Sequence, residues 1–232
     1  MRPAPVIQIA GALNLAEARM IANAGADLLG LPLRLLDGRE DISETEAAEM
    51  TRMLADSHPS CEVVAITYLS RAEEVLDLVE RIGCRWVQLH GDIRAKEAAD
   101  LKKRRPDLRM IKALVVRAEN REALFAEAAA FAPLVDAFLT DTFDPATGRR
   151  GATGQTHDWA VSRELVERLA APVILAGGLH EGNVAEAVHT VRPAGVDAHT
   201  GLELPDGRKC PERVAAFIAH ARAALAELAA AR

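Results

Sequence analysis

The sequence has few cysteines and few aromatic residues, and each shortage excludes a class of protein. Its three cysteines, Cys61, Cys84 and Cys210, are an odd number with neither CxxC nor Cys/His metal spacing. This pattern indicates a reduced, cytoplasmic protein without a metal site. Aromatic residues make up only 3% of the chain, too few to form a stacking surface for single-stranded nucleic acid.

Positive charge and long apolar runs are also scarce. The chain carries 28 Lys and Arg against 34 Asp and Glu, a formal net charge of -6, which argues against binding nucleic acid or acidic membranes by bulk electrostatics. No stretch approaches the roughly 18 to 20 apolar residues of a membrane span, and the apolar run near the N-terminus is too short for a secretion signal. We therefore expect neither a nucleic acid nor a membrane partner.

Short apolar runs typical of buried strands alternate with longer segments of helical spacing, eight times over the 232 residues. The predicted strands are Val6–Ala10, Asp27–Leu31, Glu62–Thr67, Arg85–Leu89, Arg109–Leu114, Val135–Thr140, Pro172–Ala176 and Gly195–Ala198. The predicted helices are Leu15–Ala24, Glu44–Asp56, Arg71–Ile82, Ala95–Arg105, Arg121–Ala130, Asp158–Leu169, Gly182–Val191 and Pro211–Ala229.

Eight strand–helix units of about 29 residues each are the size of right-handed crossover units. The sequence therefore predicts an α/β fold, a single (β/α)8 TIM barrel domain over residues 1–232. A doubly wound open sheet is the structural alternative. It would have fewer strands and a glycine-rich fingerprint after the first, whereas the segment from Ala10 to Asn14 contains no GxGxxG.

Polar residues cluster where predicted strands end, which is the catalytic rim of such barrels. Asp141 follows an apolar strand between two threonines, and a desolvated carboxyl there can act as a proton donor; the alternative is a loop cap. His90, His157 and His199 are candidate acid–base groups, substrate contacts or loop-fixing residues. Lys112 could form a Schiff base, although an ion pair or a phosphate contact is the more ordinary role.

Glycines at two adjacent strand ends predict an anion site. Gly177 and Gly178 precede a helix, and Thr200 and Gly201 follow the last strand. Backbone amides and a helix N-terminus can bind phosphate there, as in other barrels. The alternative interpretation is that these glycines only form tight turns.

Five motifs in order along the chain resemble the phosphoribosylanthranilate isomerases of tryptophan biosynthesis. The matching segments are Val87–Gly91 (family VQLHG), Leu139–Thr142 (LLDT), Gly151–Gly154 with His157–Trp159 (GGTG and FDW), Leu175–Leu179 with Asn183–Val184 (LAGGL and NV), and Gly195–Glu203 (VDVSSGVE). The resemblance implies an Amadori rearrangement, in which a ribosylamine phosphate opens and loses its C2 proton. No cofactor is expected.

The resemblance also implies roles for individual residues. Asp141 matches the acid, Arg39 the substrate-binding arginine, and the phosphate loops correspond to Gly177, Gly178 and Gly201. The remaining rim positions are expected to contact the substrate or its phosphate: Gln8, Gln88, His90, Lys112 and Asp197 for the substrate, and Gly154 and Thr200 for the phosphate. The family includes monomers and dimers, so either state is expected.

The chain departs from the family at the general base. The family motif KICG is Gln8–Gly11 here, so Ala10 stands in place of the catalytic cysteine, and SSG has become His199–Gly201. We expect Asp141 with His199 or His157 to form the acid–base pair, on the family's substrate or a related sugar phosphate. The alternatives are a non-catalytic sugar-phosphate sensor and a Schiff-base aldolase built on Lys112.

Overall fold

A computed structural model describes residues 5–35, 38, 41–116, 120–142 and 159–231. Its strands are β1 Val6–Ala10, β2 Leu28–Pro32, β3 Glu62–Thr67, β4 Trp86–Leu89, β5 Arg109–Val116, β6 Ala137–Thr142, β7 Val173–Leu175 and β8 Gly195–Ala198. Its helices are α1 Leu15–Asn23, α2 Glu44–Ser57, α3 Ala72–Ile82, α4 Ala95–Arg104, α5 Arg121–Phe131, α6 Trp159–Arg168, α7 Val184–Val191 and α8 Pro211–Ala230, with a 3-10 turn at Thr200–Leu202.

The eight strands are parallel and form a closed barrel in chain order, with β1 hydrogen-bonded to both β2 and β8. The prediction of a (β/α)8 barrel is therefore confirmed, and the open sheet is excluded because it would leave two strand edges unpaired. The register of the closing pair matters for the site: Gln8 lies beside Asp197 and Ile9 beside Ala198.

Alternate strand residues divide the apolar side chains into two clusters. One fills the barrel interior and includes Leu28, Val64, Ile111, Leu139 and Ile174. The other joins the outer faces of the strands to the helices and is anchored by large buried side chains such as Phe138 and Phe217. Each strand is therefore buried on both faces, which explains its continuously apolar sequence.

The boundary of β6 corrects the sequence-based expectation. It begins two residues later than predicted and includes Asp141 and Thr142, because its pairing with β5 continues to Val115↔Asp141 and Val116↔Thr142. Asp136, predicted to lie in the strand, instead accepts a 2.9 Å hydrogen bond from the backbone nitrogen of Met110 through its carboxylate. Asp141 is thus held by the sheet rather than by a loop.

At Gly195, the first residue of β8, the backbones of β8 and β1 approach each other closely. A Cβ at this position would collide with the backbone of Val6 on β1. Neither strand can move away without breaking the closing pair, so we expect Gly195→Ala to lower the free energy of unfolding by about 1–3 kcal/mol in urea denaturation.

Gly182→Ala is the matched control, because its Cβ would meet only the ring of the exposed His180 side chain. Equal losses in the two variants would contradict this account of the closing pair.

Candidate active site

A polar layer crosses the barrel interior just below the carboxyl ends of the strands. Gln8 on β1 is fully buried, and its Nε2 donates to Oε1 of Gln88 on β4 at 2.7 Å and to Oδ1 of Asp197 on β8 at 2.9 Å. Both hydrogens of this amide are therefore used inside the protein. Gln88 is 2% exposed. The expectation that Gln8 and Gln88 contact substrate is corrected, because both side chains are buried, Nε2 of Gln8 binds Gln88 and Asp197, and Nε2 of Gln88 lies against His90.

His90 continues this layer towards Asp141. Its Nε2 lies 2.5 Å from Nε2 of Gln88, and its Nδ1 lies 3.1 Å from Oδ2 of Asp141. Since the Gln88 amide nitrogen can only donate, Nε2 of His90 accepts, and Nδ1 carries the proton that is donated to Asp141. The hydrogen bonds thus fix one neutral tautomer of His90 and orient the Asp141 carboxyl group.

Burial changes the acidity of Asp197 strongly. It is 8% exposed, and burial raises the pKa of its carboxyl from 3.8 to about 6. The hydrogen bond from Gln8 and the nearby His199 and His90 lower this pKa, whereas the proximity of Asp141 raises it further. Asp197 therefore changes charge within the range of pH in which proteins are assayed.

His199 lies next to the position of the missing cysteine. The β1–β8 pairing ends with Ile9 beside Ala198, so Ala10 and His199 are the residues that follow the last pair on the two strands. The imidazole ring occupies the space that a Cβ on Gly11 would need, and Gly11 has a φ of +84°. The imidazole ring thus lies against Gly11, the residue that follows Ala10.

Two charged residues that the sequence analysis did not select hold His199. Its Nε2 lies 3.2 Å from Oε1 of Glu203, and the same oxygen accepts a 2.6 Å hydrogen bond from Nζ of Lys209. The spacing of four residues between His199 and Glu203 was the available signal. Tyr68, directly after β3, was also missed; its ring centroid lies 5.4 Å from that of His90.

The glycine loops after β7 and β8 meet at one side of the rim. Gly177 and Gly178 have φ angles of +97° and +62°, which favour glycine. A Cβ on Gly201 would collide with the carbonyl oxygen of Leu179, so the two loops are in contact. Asn183, just before α7, donates to the carbonyl oxygen of Gly178 at 3.0 Å and fixes the first loop. Glycine loops next to a helix N-terminus are the kind of backbone that binds anions in other barrels, so the phosphate site stays a prediction.

Lys112 does not lie at the rim. Its Nζ contacts Oε1 of Glu127 at 3.0 Å, lies 5.4 Å from the ring centroid of Phe131, and donates to the carbonyl oxygen of Ala113. Glu127 and Phe131 belong to α5, outside the barrel. The expectation of Lys112 as a substrate contact is therefore wrong, and the Schiff-base alternative fails for the same reason, whereas the ion pair is present.

Three expected site residues, Arg39, Gly154 and His157, lie outside the described residues. Within the described residues, no group of three or more His, Cys, Asp or Glu side chains could hold a metal ion. In the same part of the chain, no helix has the length and apolar character to cross a membrane.

The sequence is similar to those of known proteins along most of its length. Residues 8–220 match the family described as N-(5'-phosphoribosyl)anthranilate isomerase. The chain belongs to this isomerase family. It is 35% identical over 216 residues to N-(5'-phosphoribosyl)anthranilate isomerase 2 of Methanosarcina mazei, covering 93% of each chain. It is 36% identical over 219 residues to the enzyme of Haloferax volcanii, covering 94% of this chain and 93% of that one.

Solved structures of phosphoribosylanthranilate isomerases agree with the fold. The enzyme of Thermotoga maritima has a TM-score of 0.78 and 26% identity, covering 94% of this chain and 99% of that one. A family structure in complex with reduced 1-(o-carboxyphenylamino)-1-deoxyribulose 5-phosphate has a TM-score of 0.76 and 25% identity, over the same shares. Sequence and fold therefore agree on the family.

Asp197 gives the site a pH-dependent cost in stability. Because its pKa is about 6 in the folded protein against 3.8 ordinarily, the folded state binds the proton more tightly. The free energy of unfolding therefore falls as pH rises from about 4 to 6, and the cost is fully present above pH 6. We expect Asp197→Asn to raise the free energy of unfolding at pH 8 by about 2 kcal/mol, with little change at pH 4.

The measurement is urea denaturation at both pH values. Asp107→Asn is the control, since Asp107 is exposed and the hydrogen bond from Arg105 lowers the pKa of its carboxyl; it is not expected to stabilise the protein at pH 8. An equal gain from Asp197→Asn at pH 4 and pH 8 would contradict the burial of its charge.

Proposed function

We propose that the protein catalyses the Amadori rearrangement of N-(5'-phosphoribosyl)anthranilate, with Asp141 as the general acid and His199 as the general base. The observation that carries the proposal is the position of the His199 ring against Gly11, one residue after Ala10, at the same rim as the His90–Asp141 pair and the two glycine loops. A chain of this family that lacks the cysteine base thus has another proton acceptor next to the same position.

The reaction divides between the two groups. Asp141 donates a proton to the furanose ring oxygen as the bond from C1 to that oxygen breaks, which leaves an iminium at C1. His199 then removes the C2 proton, and the electrons of that C–H bond neutralise the iminium to give an enaminol, which tautomerises to the 1-deoxyribulose product. Both groups transfer protons only, in steps suited to a carboxyl and an imidazole.

The other rim residues serve binding in this proposal. The backbone around Gly177, Gly178, Thr200 and Gly201 binds the phosphate, and Asp197 and His90 border the sugar. Asp197 and His90 are 8% and about 9% exposed, so each has only an edge open to a ligand. Arg39, Gly154 and His157 remain proposed contacts: Arg39 for the substrate, Gly154 for the phosphate and His157 as a further proton-transfer group.

The same proposal implies a pathway, a cellular compartment and an oligomeric state. The protein acts in tryptophan biosynthesis in the cytoplasm, in keeping with three unpaired cysteines. A Thermotoga maritima relative is described as dimeric, with engineered monomers also solved. We propose a monomer or a homodimer that binds a small sugar phosphate and neither nucleic acid nor membrane.

The acid is tested with Asp141→Asn, assayed by loss of fluorescence of freshly generated phosphoribosylanthranilate. The amide cannot donate a carboxyl proton, so we expect kcat to fall by about 10² to 10⁴. Lys112→Met is the control, because Nζ of Lys112 contacts α5 rather than the rim, and it is expected to retain turnover.

Undiminished turnover by Asp141→Asn would refute the assignment of the acid. An unsubstituted protein that binds inorganic phosphate and sugar phosphates without converting them would instead favour a sensor, the function that the alanine at position 10 would suit.

A cysteine base is tested separately. Burial raises the pKa of Cys61 to about 12 and that of Cys84 to about 11, so neither thiol ionises appreciably at neutral pH. Cys210 is partly exposed, and its Sγ contacts Oε2 of Glu212 at 3.1 Å. We expect Cys210→Ser to keep turnover within about twofold of the parent protein and to be insensitive to iodoacetamide at pH 8.

Turnover lost in Cys210→Ser, or lost on alkylation of that variant, would show that a thiol still serves as the base.

A further inference from the structure

The contact between His199 and Glu203 depends on the histidine that stands at the first position of His199–Gly201, the segment that resembles the family's SSG. Nε2 of His199 lies 3.2 Å from Oε1 of Glu203, and the same edge of the ring lies against Gly11. The imidazole is therefore held between the loop after β1 and the segment after β8, and a side chain held in this way loses rotamer freedom before any ligand binds.

A short hairpin holds Glu203 rigidly. Glu203 and Lys209 form an isolated antiparallel bridge, Leu204 N donates to the carbonyl oxygen of Arg208 at 2.8 Å, and Gly207 turns the chain with a φ of +83°. Cys210 N donates to the carbonyl oxygen of Leu202 at 2.9 Å and ties the hairpin to the 3-10 turn. The carboxylate thus rests on backbone pairing and not on a flexible loop.

The charge of Glu203 is fixed as firmly as its position. Burial raises the pKa of its carboxyl, but the hydrogen bonds from His199 and Lys209 outweigh burial and lower the pKa to about 2. The Lys209 side chain is completely buried, and its Nζ lies 2.6 Å from Oε1 of Glu203 and 3.3 Å from the carbonyl oxygen of His199. Glu203 is therefore a carboxylate at every working pH and can only accept hydrogen bonds.

An acceptor beside Nε2 determines which nitrogen of the ring is basic. Nε2 must carry a hydrogen to contact Oε1 of Glu203 favourably, so the neutral imidazole is the Nε2–H tautomer and Nδ1 holds the lone pair. The described charged groups around His199 are Glu203 and Lys209 of the hairpin, Asp197 of β8 and, beyond them, Glu17 of α1 near Lys209 and His90 and Asp141 near Asp197. Of these groups, only Glu203 contacts Nε2.

We propose that Glu203, held by Lys209 and the hairpin, is a positioning residue that fixes the Nε2–H tautomer of His199 and makes Nδ1 the atom that accepts the C2 proton. The claim that Nδ1 accepts the C2 proton rests on the proposed function. The claim that His199 is the Nε2–H tautomer does not depend on any activity. A base oriented by a carboxylate through its second ring nitrogen is a general arrangement for proton transfer.

The first test needs no substitution that could disturb folding. In a long-range ¹H–¹⁵N correlation spectrum of the ligand-free protein at neutral pH, the His199 resonances, assigned by their absence from His199→Gln, are expected to show Nε2–H. A ring protonated at Nδ1 instead would overturn the proposal, whatever the enzyme's activity.

The second test is Glu203→Gln, whose amide can donate to Nε2 and so removes the preference for one tautomer. We expect Nδ1–H to appear in the spectrum and kcat to fall about 10- to 100-fold, less than the 10² to 10⁴ typical of losing a base, with KM changed less than about threefold. Glu203→Asp, which keeps the charge, is expected to restore part of the rate.

Asp206→Asn is the matched control, because it removes a carboxylate at the tip of the same hairpin that pairs only with the exposed Arg208 among the described residues. It is expected to leave kcat and the tautomer unchanged. In a His199→Ala background, Glu203→Gln is expected to change kcat less than about twofold; a full further loss there would overturn action through His199. If the unsubstituted protein shows Nε2–H but no turnover, the proposed function fails and the positioning of His199 stands.

Discussion

The pairing of β1 with β8 is the constraint on which the site depends. It closes the barrel, and its register decides which residues become neighbours near the rim. Gln8 lies beside Asp197, and Ala10 and His199 follow the last pair, Ile9 and Ala198. A shift of one residue would turn every side chain of β1 to the other face of the sheet. The replacement of cysteine by alanine in β1 and the arrival of histidine after β8 are therefore changes at one place, although they lie far apart in the sequence.

Beneath that rim, one layer of the otherwise apolar barrel interior is polar, although an apolar layer would be more stable. The buried Asp197 carboxyl receives one hydrogen bond from Gln8, a neutral partner, and its pKa rises to about 6. Oε1 of Gln8 is buried with no hydrogen-bond partner among the described residues. A buried carboxylate and an unpaired buried amide oxygen are both destabilising. In this protein the same hydrogen-bond network sets the tautomer of His90 and the orientation of Asp141.

The sequence was sufficient to predict the barrel, because eight apolar runs at regular spacing admit few other folds. It was insufficient to predict which face each strand residue occupies. A strand buried on both faces has no alternation of apolar and polar residues that would show which side chains face inwards. Lys112 was therefore assigned to the rim although it lies against α5. Gln8 and Gln88 were assigned to the substrate although they bind each other. Asp141 and His199 were predicted as site residues because polar residues at strand ends are informative, and their catalytic roles remain proposals.

The network of Glu203 and Lys209 could not be predicted, because it depends on a hairpin whose two ends are six residues apart. The proposed contacts Arg39, Gly154 and His157 stay predictions, since they lie outside the described residues. The family's substrate chemistry likewise came from five ordered motifs and not from periodicity, which specifies a fold and leaves function to the site.

His199, Glu203 and Lys209 together have a net charge of zero while the imidazole is neutral, and a charge of plus one once it holds a proton. Thr200 and Gly201, which border the proposed phosphate site, follow His199 directly in the chain. A phosphate bound there and a proton on His199 therefore stabilise each other, and this linkage is reciprocal. The phosphate group takes no part in the bond changes. Its negative charge would nevertheless hold the ligand more strongly while the C2 proton is on His199.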